Sequence, residues 1–498
     1  MSRHGLRGKV VRGALVKLLG GLPTQLLGLG ITLLCFRVLL PEAYGEFQLA
    51  AAIYGFSDIF TNPSVGTYLI KNPEAEDATF DVAFTLSAVR AVVLTPLLWL
   101  LAPYLTTAFD GQASTTEMLR WLSFGFLIQG WRNLHVIRFH HRLEMGRVVI
   151  LEAGGPALGN LMSMGLLWWW REPTALIAGN LAGHAINTVN TWWMGPRRAA
   201  IRFHLAETVR IWRFTRYLLA NSLIIFALLN LDDLMVAKLA GGAALGLYAM
   251  SYKLVNATVL FVVKPLHEVV LPALALLKHD RRRLTEAALT TLSAFAAISW
   301  LICGSIWPQA DAVFAVVGGG RGWVGATPIF RAMLPFVLIR GINGAMGSLL
   351  LAADRPQWLT AISGSQLALL LPAGWLGFQL YGFLGLTVAI TVLNGGAMVA
   401  LMSCCPRHLE AGAGRLFAVA LMPAVAAVAA VAVGYGVREL VSSNLARLFL
   451  GVATSIGVGW SVWEAMCALP LGPRLRRVSA FEFRRHVQSG QLSPEQDA

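Results

Sequence analysis

Positively charged side chains interrupt several long apolar runs in this sequence. A charge near the centre of a bilayer costs roughly 2.5–3.5 kcal/mol on insertion scales, so each such residue needs an interaction that offsets this cost. Cations in these runs outnumber carboxylates, which favours an anionic ligand within the membrane. The cations taken as candidate substrate-binding residues are Arg37, Arg90, Arg132, Lys238, Lys253 and Arg340.

The position of each cation within its run separates these candidates. Arg132 lies within the run 118–137 and Arg340 within 328–351. Both lie nearer the middle and lack an obvious partner close in sequence, which favours a role in a cavity. Lys253 lies one turn into its own run. Because long basic side chains can bury their stems and keep the charge in water, a location at the membrane interface is also open to Arg37, Arg90 and Lys238.

The composition of the 498-residue chain is that of a membrane protein. Hydrophobic residues make up 56% of the chain, charged residues only 13%, and the mean hydropathy is +0.63. Soluble domains carry about 25% charged residues. Charged residues, glycines and prolines divide the apolar runs into about fourteen spans of roughly 20 residues each. We therefore predict an all-α, polytopic membrane protein of about 14 transmembrane helices.

The formal net charge of +14 is distributed unevenly along the chain. In a soluble protein such a charge would suggest nucleic acid as a partner, but here the basic residues cluster in alternate connections between the predicted spans. These clusters lie near residues 3–12, 138–147, 197–213, 278–283 and 474–485. By the positive-inside rule, both termini are predicted to be cytoplasmic, the number of spans is even, and no nucleic-acid partner is expected.

Several chemistries have no motif in this sequence. The five cysteines show no CxxC spacing, and no cluster of metal-ligand residues occurs. The sequence also lacks a P-loop and a nucleophile elbow. We therefore predict no enzymatic activity, no cofactor and no metal site.

Two segments in the first part of the chain align with two later segments. "LRWLSFGFLIQGWRN" (119–133) aligns with "FRAMLPFVLIRGING" (330–344) at an offset of 211. This alignment places Gln129 on Arg340. Gln129 therefore joins the candidate substrate-binding residues, as a neutral hydrogen-bonding group at the same depth.

The second alignment lies earlier in the chain. "FRVLLPEAYGEFQLA" (36–50) aligns with "AKLAGGAALGLYAMS" (237–251) at an offset of 201, which places Gly45 on Gly246. One insertion of ten residues, about the size of the loop 316–325, would explain the difference between the two offsets. The order of the two matches indicates an internal duplication.

A duplication after six spans gives two halves of the same orientation. We therefore predict two six-helix lobes related by pseudo-two-fold symmetry, with the axis along the membrane normal, around a central cavity. Two further helices follow at the C-terminal end. The predicted domains are an N-terminal lobe, a C-terminal lobe, an additional helix pair and a cytoplasmic tail, at 1–200, 201–405, 406–470 and 471–498.

The segment "LLCFRVLLPEAYGEFQLAAAIYGFSDIFTNPSVGTYLIKN" resembles the start of the polysaccharide transporter family. These are the Wzx-type oligosaccharide flippases of the multidrug/oligosaccharidyl-lipid/polysaccharide exporter superfamily. "LLLAADRP" (349–356) is similar to the end of the tenth span in that family. The residues that carry the resemblance are Arg37, Leu39, Pro41, Tyr44, Gly45, Asp58, Gly66, Leu69 and Ile70.

The resemblance implies that the chain flips undecaprenyl-diphosphate-linked oligosaccharide across the bacterial inner membrane, by alternating access, for surface or exopolysaccharide biosynthesis. Arginine suits a diphosphate because its planar fork donates paired hydrogen bonds and stays charged. The implied partners are the lipid-linked oligosaccharide and membrane lipid. A polysaccharide polymerase and its chain-length machinery are further candidate partners.

Three other functions remain open at the level of sequence. A drug/cation antiporter of the same superfamily would be expected to place a carboxylate in its first span, and residues 14–39 contain none. A lipid II flippase would share the cationic cavity and the fourteen spans. A polymerase or ligase of the same pathway usually carries a large periplasmic loop, which this sequence lacks.

Overall fold

The computed structural model describes residues 3–61, 65–263, 270, 274, 277, 280–319, 322–352 and 355–468. Throughout these ranges the regular secondary structure is helical, and no strand occurs in them. The prediction of an all-α protein is therefore confirmed.

The first half of the chain contains nine helices within the described ranges, and a 3₁₀ turn at Leu134–Ile137 precedes α6. They are α1 (Arg3–Val38), α2 (Pro41–Thr61), α3 (Val65–Lys71), α4 (Asp77–Ala108), α5 (Ala113–Gly130), α6 (Arg138–His141), α7 (Met145–Trp170), α8 (Thr174–Met194) and α9 (Leu205–Thr258).

A π-helical segment, Val259–Val263, follows α9. The helices described after it are α10 (Arg281–Ile306), α11 (Ala310–Gly318), α12 (Thr327–Met333), α13 (Pro335–Ala352), α14 (Pro356–Cys404), α15 (Ala413–Leu421), α16 (Ala424–Leu440) and α17 (Asn444–Ala468).

Two of the longest helices are each interrupted at a glycine. Gly241 breaks α9 with φ 85° and ψ 175°. Gly382 breaks α14 with φ 59°, directly after Tyr381. Only glycine adopts such positive φ angles without strain, so each long helix is two helices joined at a sharp bend. The predicted gaps between spans, near residues 238–246 and 377–383, lie at these two breaks.

Seven helical stretches among the described residues are long and apolar enough to cross a membrane, judged by length and composition. With the shorter helices between them, helical segments lie over the described parts of the predicted spans. The chain is therefore a multi-pass membrane protein, whereas the number of fourteen crossings stays a prediction. The seven stretches are Gly20–Val38, Asp77–Ala108, Arg281–Ile306, Trp323–Leu351, Gln357–Arg407, Ala413–Leu440 and Asn444–Met466.

The chain divides into two compact units. The N-terminal unit comprises Met1–Met250 with Arg321–Trp323, and the C-terminal unit comprises Ser251–Gly320 with Val324–Ala498. This division reflects which residues pack together and does not test where a repeat begins or ends. The predicted domains therefore remain predictions, which are the lobes 1–200 and 201–405 and the helix pair 406–470. The predicted tail 471–498 lies outside the described residues.

Within each unit, a glycine lets two helices approach closely. In the N-terminal unit a Cβ at Gly130 of α5 would lie 2.9 Å from the Ser87 carbonyl oxygen of α4. In the C-terminal unit a Cβ at Gly341 of α13 would lie 3.6 Å from the Phe295 carbonyl oxygen of α10. The alignment at offset 211 pairs Gly130 with Gly341. The same contact therefore recurs at matched positions, because Ser87 and Phe295 are 208 residues apart.

Two arginines repeat this pattern. The Arg120 guanidinium lies 4.5 Å from the centroid of the Trp99 ring. Arg331, its partner in the alignment, donates from Nε to the Trp307 carbonyl oxygen at 3.3 Å. Trp99 and Trp307 are again 208 residues apart. Each arginine of the pair thus contacts the matched tryptophan, through the ring of Trp99 in α4 or through the backbone of Trp307, the residue directly after α10.

A third pair of contacts has the same spacing. Thr95 donates to the Ser123 carbonyl oxygen at 3.3 Å, and Cys303 donates to the Leu334 carbonyl oxygen at 3.1 Å. The offset is thus 208 on α4 and α10 and 211 on the helices that follow. The offset therefore rises from 201 to 208 before α10, and from 208 to 211 after it. Seven of the ten extra residues of the second half lie before α10, so the expectation of one insertion at 316–325 is wrong. The duplication stays a prediction, which three matched contacts support.

Candidate substrate-binding site

One end of the N-terminal unit gathers three connections between helices. Asp77, the first residue of α4, accepts hydrogen bonds from the side chains of Arg138 and Arg197. His141 Nε2 lies 3.1 Å from the carbonyl oxygen of Ile70. The connections that follow α3, α5 and α8 therefore meet at this end, which we call the Asp77 end. Two of the basic clusters predicted to be cytoplasmic lie here.

The opposite end of the same unit holds two of the candidate cations. Lys238 forms an ion pair of 2.8 Å with Asp110, and the two side chains are 49% and 63% exposed. Arg37 lies exposed in the last turn of α1. Gln112, which lies with Asp110 in the connection between α4 and α5, donates to Glu42 at 2.9 Å. These positions match the interfacial alternative for Arg37 and Lys238.

A polar cluster lies deeper in the N-terminal unit, where α2, α5 and α8 meet. Gln129 Nε2 donates to the Tyr54 hydroxyl at 3.1 Å and lies 3.4 Å from His184 Nε2. The Tyr54 ring stacks on Phe126, with 4.6 Å between the ring centroids. Gln129 is thus held in place by one neighbour on each side.

Charged residues surround this polar cluster. Asp58, one turn along α2 from Tyr54, acts electrostatically on Tyr54 and on Arg90 of α4. Arg132 acts on His184 and is itself acted on by Glu152 of α7. The cluster therefore contains two of the candidate arginines together with two carboxylates, so its charge is mixed.

Arg132 lies outside the helix that the sequence predicts for it. The expected continuous span 118–137 is wrong here, because α5 ends at Gly130 and a 3₁₀ turn begins at Leu134. Asn133 accounts for the break, since its side chain accepts from His135 N at 3.1 Å and donates to the Arg197 carbonyl oxygen at 2.7 Å. Arg132 Nε is buried and has no hydrogen-bond partner among the described residues.

The C-terminal unit holds Arg340 and Lys253. Arg340, half-buried on α13, donates from its guanidinium to the Tyr252 hydroxyl at 3.0 Å. Within the described ranges no carboxylate forms an ion pair with Arg340. Lys253 follows Tyr252 on the second half of α9 and is exposed. A neutral hydroxyl leaves the positive charge of Arg340 uncompensated, which favours an anion as its further partner.

The two units thus present related arrangements. In the N-terminal unit Gln129 donates to the hydroxyl of Tyr54, and in the C-terminal unit its aligned partner Arg340 donates to the hydroxyl of Tyr252. The two tyrosines lie on helices that the predicted duplication would relate. The N-terminal unit brings Gln129, Arg90 and Arg132 together, whereas Arg37 and Lys238 lie at one end. Neither tyrosine was predicted as a site residue, because an aromatic residue in an apolar helix has the appearance of a core residue.

These features define a class of protein. The long apolar helices and the cations held within them are those of a multi-pass membrane transporter. Residues 34–325 match the family model described as "Polysaccharide biosynthesis protein". This match spans more than half of the chain, which therefore belongs to that family of polysaccharide flippases, within the multidrug/oligosaccharidyl-lipid/polysaccharide exporter superfamily. The predicted family is thus confirmed.

Two curated proteins are similar to this chain in sequence. "Lipopolysaccharide biosynthesis protein WzxC" of Escherichia coli (strain K12) is 20% identical over 391 residues, which are 78% of this chain and 79% of that protein. "Teichuronic acid biosynthesis protein TuaB" of Bacillus subtilis (strain 168) is 22% identical over 306 residues, which are 60% of this chain and 62% of that protein.

Solved transporter structures share the fold. The lipid II flippase MurJ in its inward closed conformation matches with a TM-score of 0.70 and 11% identity, over 91% of this chain and all of that one. An inward-facing multidrug resistance MATE family transporter matches with a TM-score of 0.59 and 13% identity, over 82% of this chain and 98% of that one. The family and these neighbours are transporters and flippases, so the prediction that the chain is not an enzyme is confirmed.

Proposed function

We propose that this chain flips undecaprenyl-diphosphate-linked oligosaccharide across the bacterial inner membrane, for lipopolysaccharide or exopolysaccharide biosynthesis. The family membership and the two curated relatives support a role in polysaccharide export. The observation that carries the proposal is the Arg340–Tyr252 contact, in which a half-buried guanidinium has a neutral partner. Such a cation keeps its charge available for a diphosphate.

The physical problem for this cargo is solvation. A diphosphate and several sugars would lose many hydrogen bonds in hydrocarbon, whereas the prenyl tail is stable in lipid. Fixed cations and hydroxyls within the protein replace the lost water, and the guanidinium fork fits two phosphate oxygens at once. The protein then needs no hydrolysis of its own for the transfer, because it lowers a barrier by alternating access.

The candidate residues take different parts in this proposal. Arg340 and Lys253 supply positive charge from the C-terminal unit. Gln129, Arg132 and Arg90 supply a polar cluster of mixed charge from the N-terminal unit, where Asp58 moderates the attraction for an anion. Arg37 and Lys238 contact the cargo only when it reaches their end of the N-terminal unit.

Complementation tests this function. The chain is expressed in a strain that lacks its own oligosaccharide flippase, and surface polysaccharide is measured together with the lipid-linked precursor. Restored surface polysaccharide and a smaller precursor pool are expected. Rescue of cells depleted of their lipid II flippase would instead indicate a lipid II flippase, and resistance to cationic drugs alone would indicate an antiporter.

A further inference from the structure

A polar cavity of about 860 Å³ lies at the Asp77 end of the N-terminal unit. It is formed between the connection from α3 to α4 and the first turns of α9. Its volume falls within the range of about 300–1,000 Å³ that is typical of sites for small molecules. The seven candidate substrate-binding residues do not line it, so this cavity is separate from the site described above.

The charges around the cavity balance. Three carboxylates and three cations line it, which are Glu74, Glu76, Glu207, Lys71, Arg202 and Arg210. A diphosphate gains little net attraction from such a set. A neutral ligand with many hydroxyl groups, by contrast, finds acceptors in the carboxylates and donors in the cations.

Several of these groups are available to a ligand. Glu74, Glu76 and Arg202 are exposed at the cavity wall. Within the part of the chain that the structure describes, their charged groups make no hydrogen bond or ion pair with another side chain. Two acceptors and one donor group therefore face the cavity with their hydrogen-bonding capacity unused.

Other contacts fix the walls. Asn72 Nδ2 donates to the Tyr68 carbonyl oxygen at 2.8 Å, which holds the start of the connection. Lys71 Nζ lies 5.1 Å from the centroid of the Phe214 ring on α9. Thr79 donates to Glu207 at 3.5 Å, and both residues line the cavity. A preformed wall of this kind lowers the entropy cost of binding.

We propose that this cavity is a glycan subsite, which binds sugar rings of the lipid-linked oligosaccharide before translocation. The inference rests on the proposed function. It also uses the predicted topology, in which the Asp77 end is cytoplasmic. A cargo anchored by its prenyl tail in the inner leaflet keeps its sugars at that surface, on the side where the residues of the cavity lie.

A binding experiment tests the subsite directly. The probe is the free oligosaccharide that mild acid releases from the lipid-linked fraction of the strain that makes this chain's cargo. Binding to the purified full chain is measured by saturation-transfer NMR. Both carboxylates are charged hydrogen-bond acceptors of the proposed subsite, so the double variant Glu74→Ala/Glu76→Ala is expected to bind the probe at least about tenfold more weakly.

A second variant and two controls complete the experiment. Ala78→Trp fills the cavity from the first turn of α4 and is expected to lower binding as strongly. Ala206→Trp, exposed on α9 outside the cavity wall, and Arg198→Ala, exposed on the preceding connection, should bind the probe as the wild type does. Melting temperatures of all variants are compared, so that misfolding is not read as lost binding.

The outcomes separate this inference from the proposed function. Arg340→Ala should retain binding of the free oligosaccharide but lose transport of the lipid-linked form. Equal binding of the probe by the wild type and by the two cavity variants, or no binding by the wild type, would overturn the subsite and leave the flippase proposal intact. Probe binding at the cavity without complementation of the flippase-null strain would count against the proposed function alone.

Discussion

Gly45 of α2 and Gly246 in the second half of α9 pack backbone against backbone in the N-terminal unit. A Cβ at Gly45 would lie 2.9 Å from the Gly246 amide nitrogen and would collide with the Gly242 carbonyl oxygen. The sequence alignment pairs these same two glycines at an offset of 201. Two residues that a two-fold axis relates can touch only beside that axis, so this contact supports the predicted duplication.

The contact predicts a large effect of side-chain size at Gly246. Gly246→Val would force α2 and α9 apart, and overpacking of this kind costs about 1–3 kcal/mol. A lower melting temperature and less protein in the membrane are expected. Gly165→Ala on α7 is the control, because nothing lies within 4 Å of its added Cβ. Equal melting temperatures for both variants would show that the helices separate without cost.

The buried pair of His135 and Asp81 predicts a second effect on stability. His135 Nε2 lies 3.0 Å from Asp81 Oδ1, and the two side chains are 0% and 2% exposed. Asp81 also accepts from the Ala200 amide at 3.1 Å, which holds the connection before α9. Asp81→Ala leaves the buried His135 Nε2 without this partner, at a cost of about 1–3 kcal/mol, and also removes the acceptor of the Ala200 amide.

Thermal unfolding of the purified protein measures this cost. Asp280→Ala is the control, because Asp280 is an exposed N-cap of α10 that accepts from Arg283 N, and loss of such a cap costs about 1 kcal/mol. The Asp81 variant should unfold at a clearly lower temperature than the Asp280 variant. The reverse order would mean that the buried pair adds no stability.

The two ends of the N-terminal unit predict opposite accessibility. One cysteine is introduced at each end: Glu76→Cys next to Asp77, and Gln112→Cys two residues after Asp110. With both termini cytoplasmic, a membrane-impermeant maleimide should label Gln112→Cys in intact cells, and Glu76→Cys only after the cells are opened. The unsubstituted chain serves as the control for its own cysteines. Labelling of both variants in intact cells would refute the predicted topology.

The helices were predictable from the sequence because their signals are local. Apolar runs of sufficient length mark the spans, and the glycines at 241 and 382 mark the bends within α9 and α14. The break before Arg132 was not predictable. The segment "WRNLHVI" reads as a continuation of α5, and the contacts of Asn133 that end the helix lie up to 64 residues away in sequence.

The candidate site, too, was predictable only where its signals are local in the sequence. Cations in apolar runs were recognisable because charge is costly in a membrane. Their partners were not, since Lys238 pairs with Asp110 and Arg340 with Tyr252 over long sequence separations. Charge type can be read from a sequence, whereas pairing depends on the packing of helices.

Substitution of Arg340 distinguishes a ligand-binding cation from a structural one. Arg340 has a neutral partner in Tyr252 and no carboxylate partner in the described ranges, so Arg340→Ala strands no buried charge there. Export of surface polysaccharide should fall sharply, with little change in the amount of folded protein in the membrane. Arg340→Lys should restore export only in part, because an ammonium keeps the charge but loses the planar fork.

Arg331 on the neighbouring helix α12 is the matched control. It pairs with Asp311 at 2.9 Å and also donates to the Trp307 carbonyl oxygen, so its role is structural. Arg331→Ala should lower protein abundance, and export should fall only in proportion. If Arg340→Ala lowers abundance by as much, Arg340 too is structural, and a loss of about 3–5 kcal/mol would indicate a buried ion pair. If Arg340→Ala shows both normal abundance and normal export, Arg340 is not part of the proposed diphosphate site.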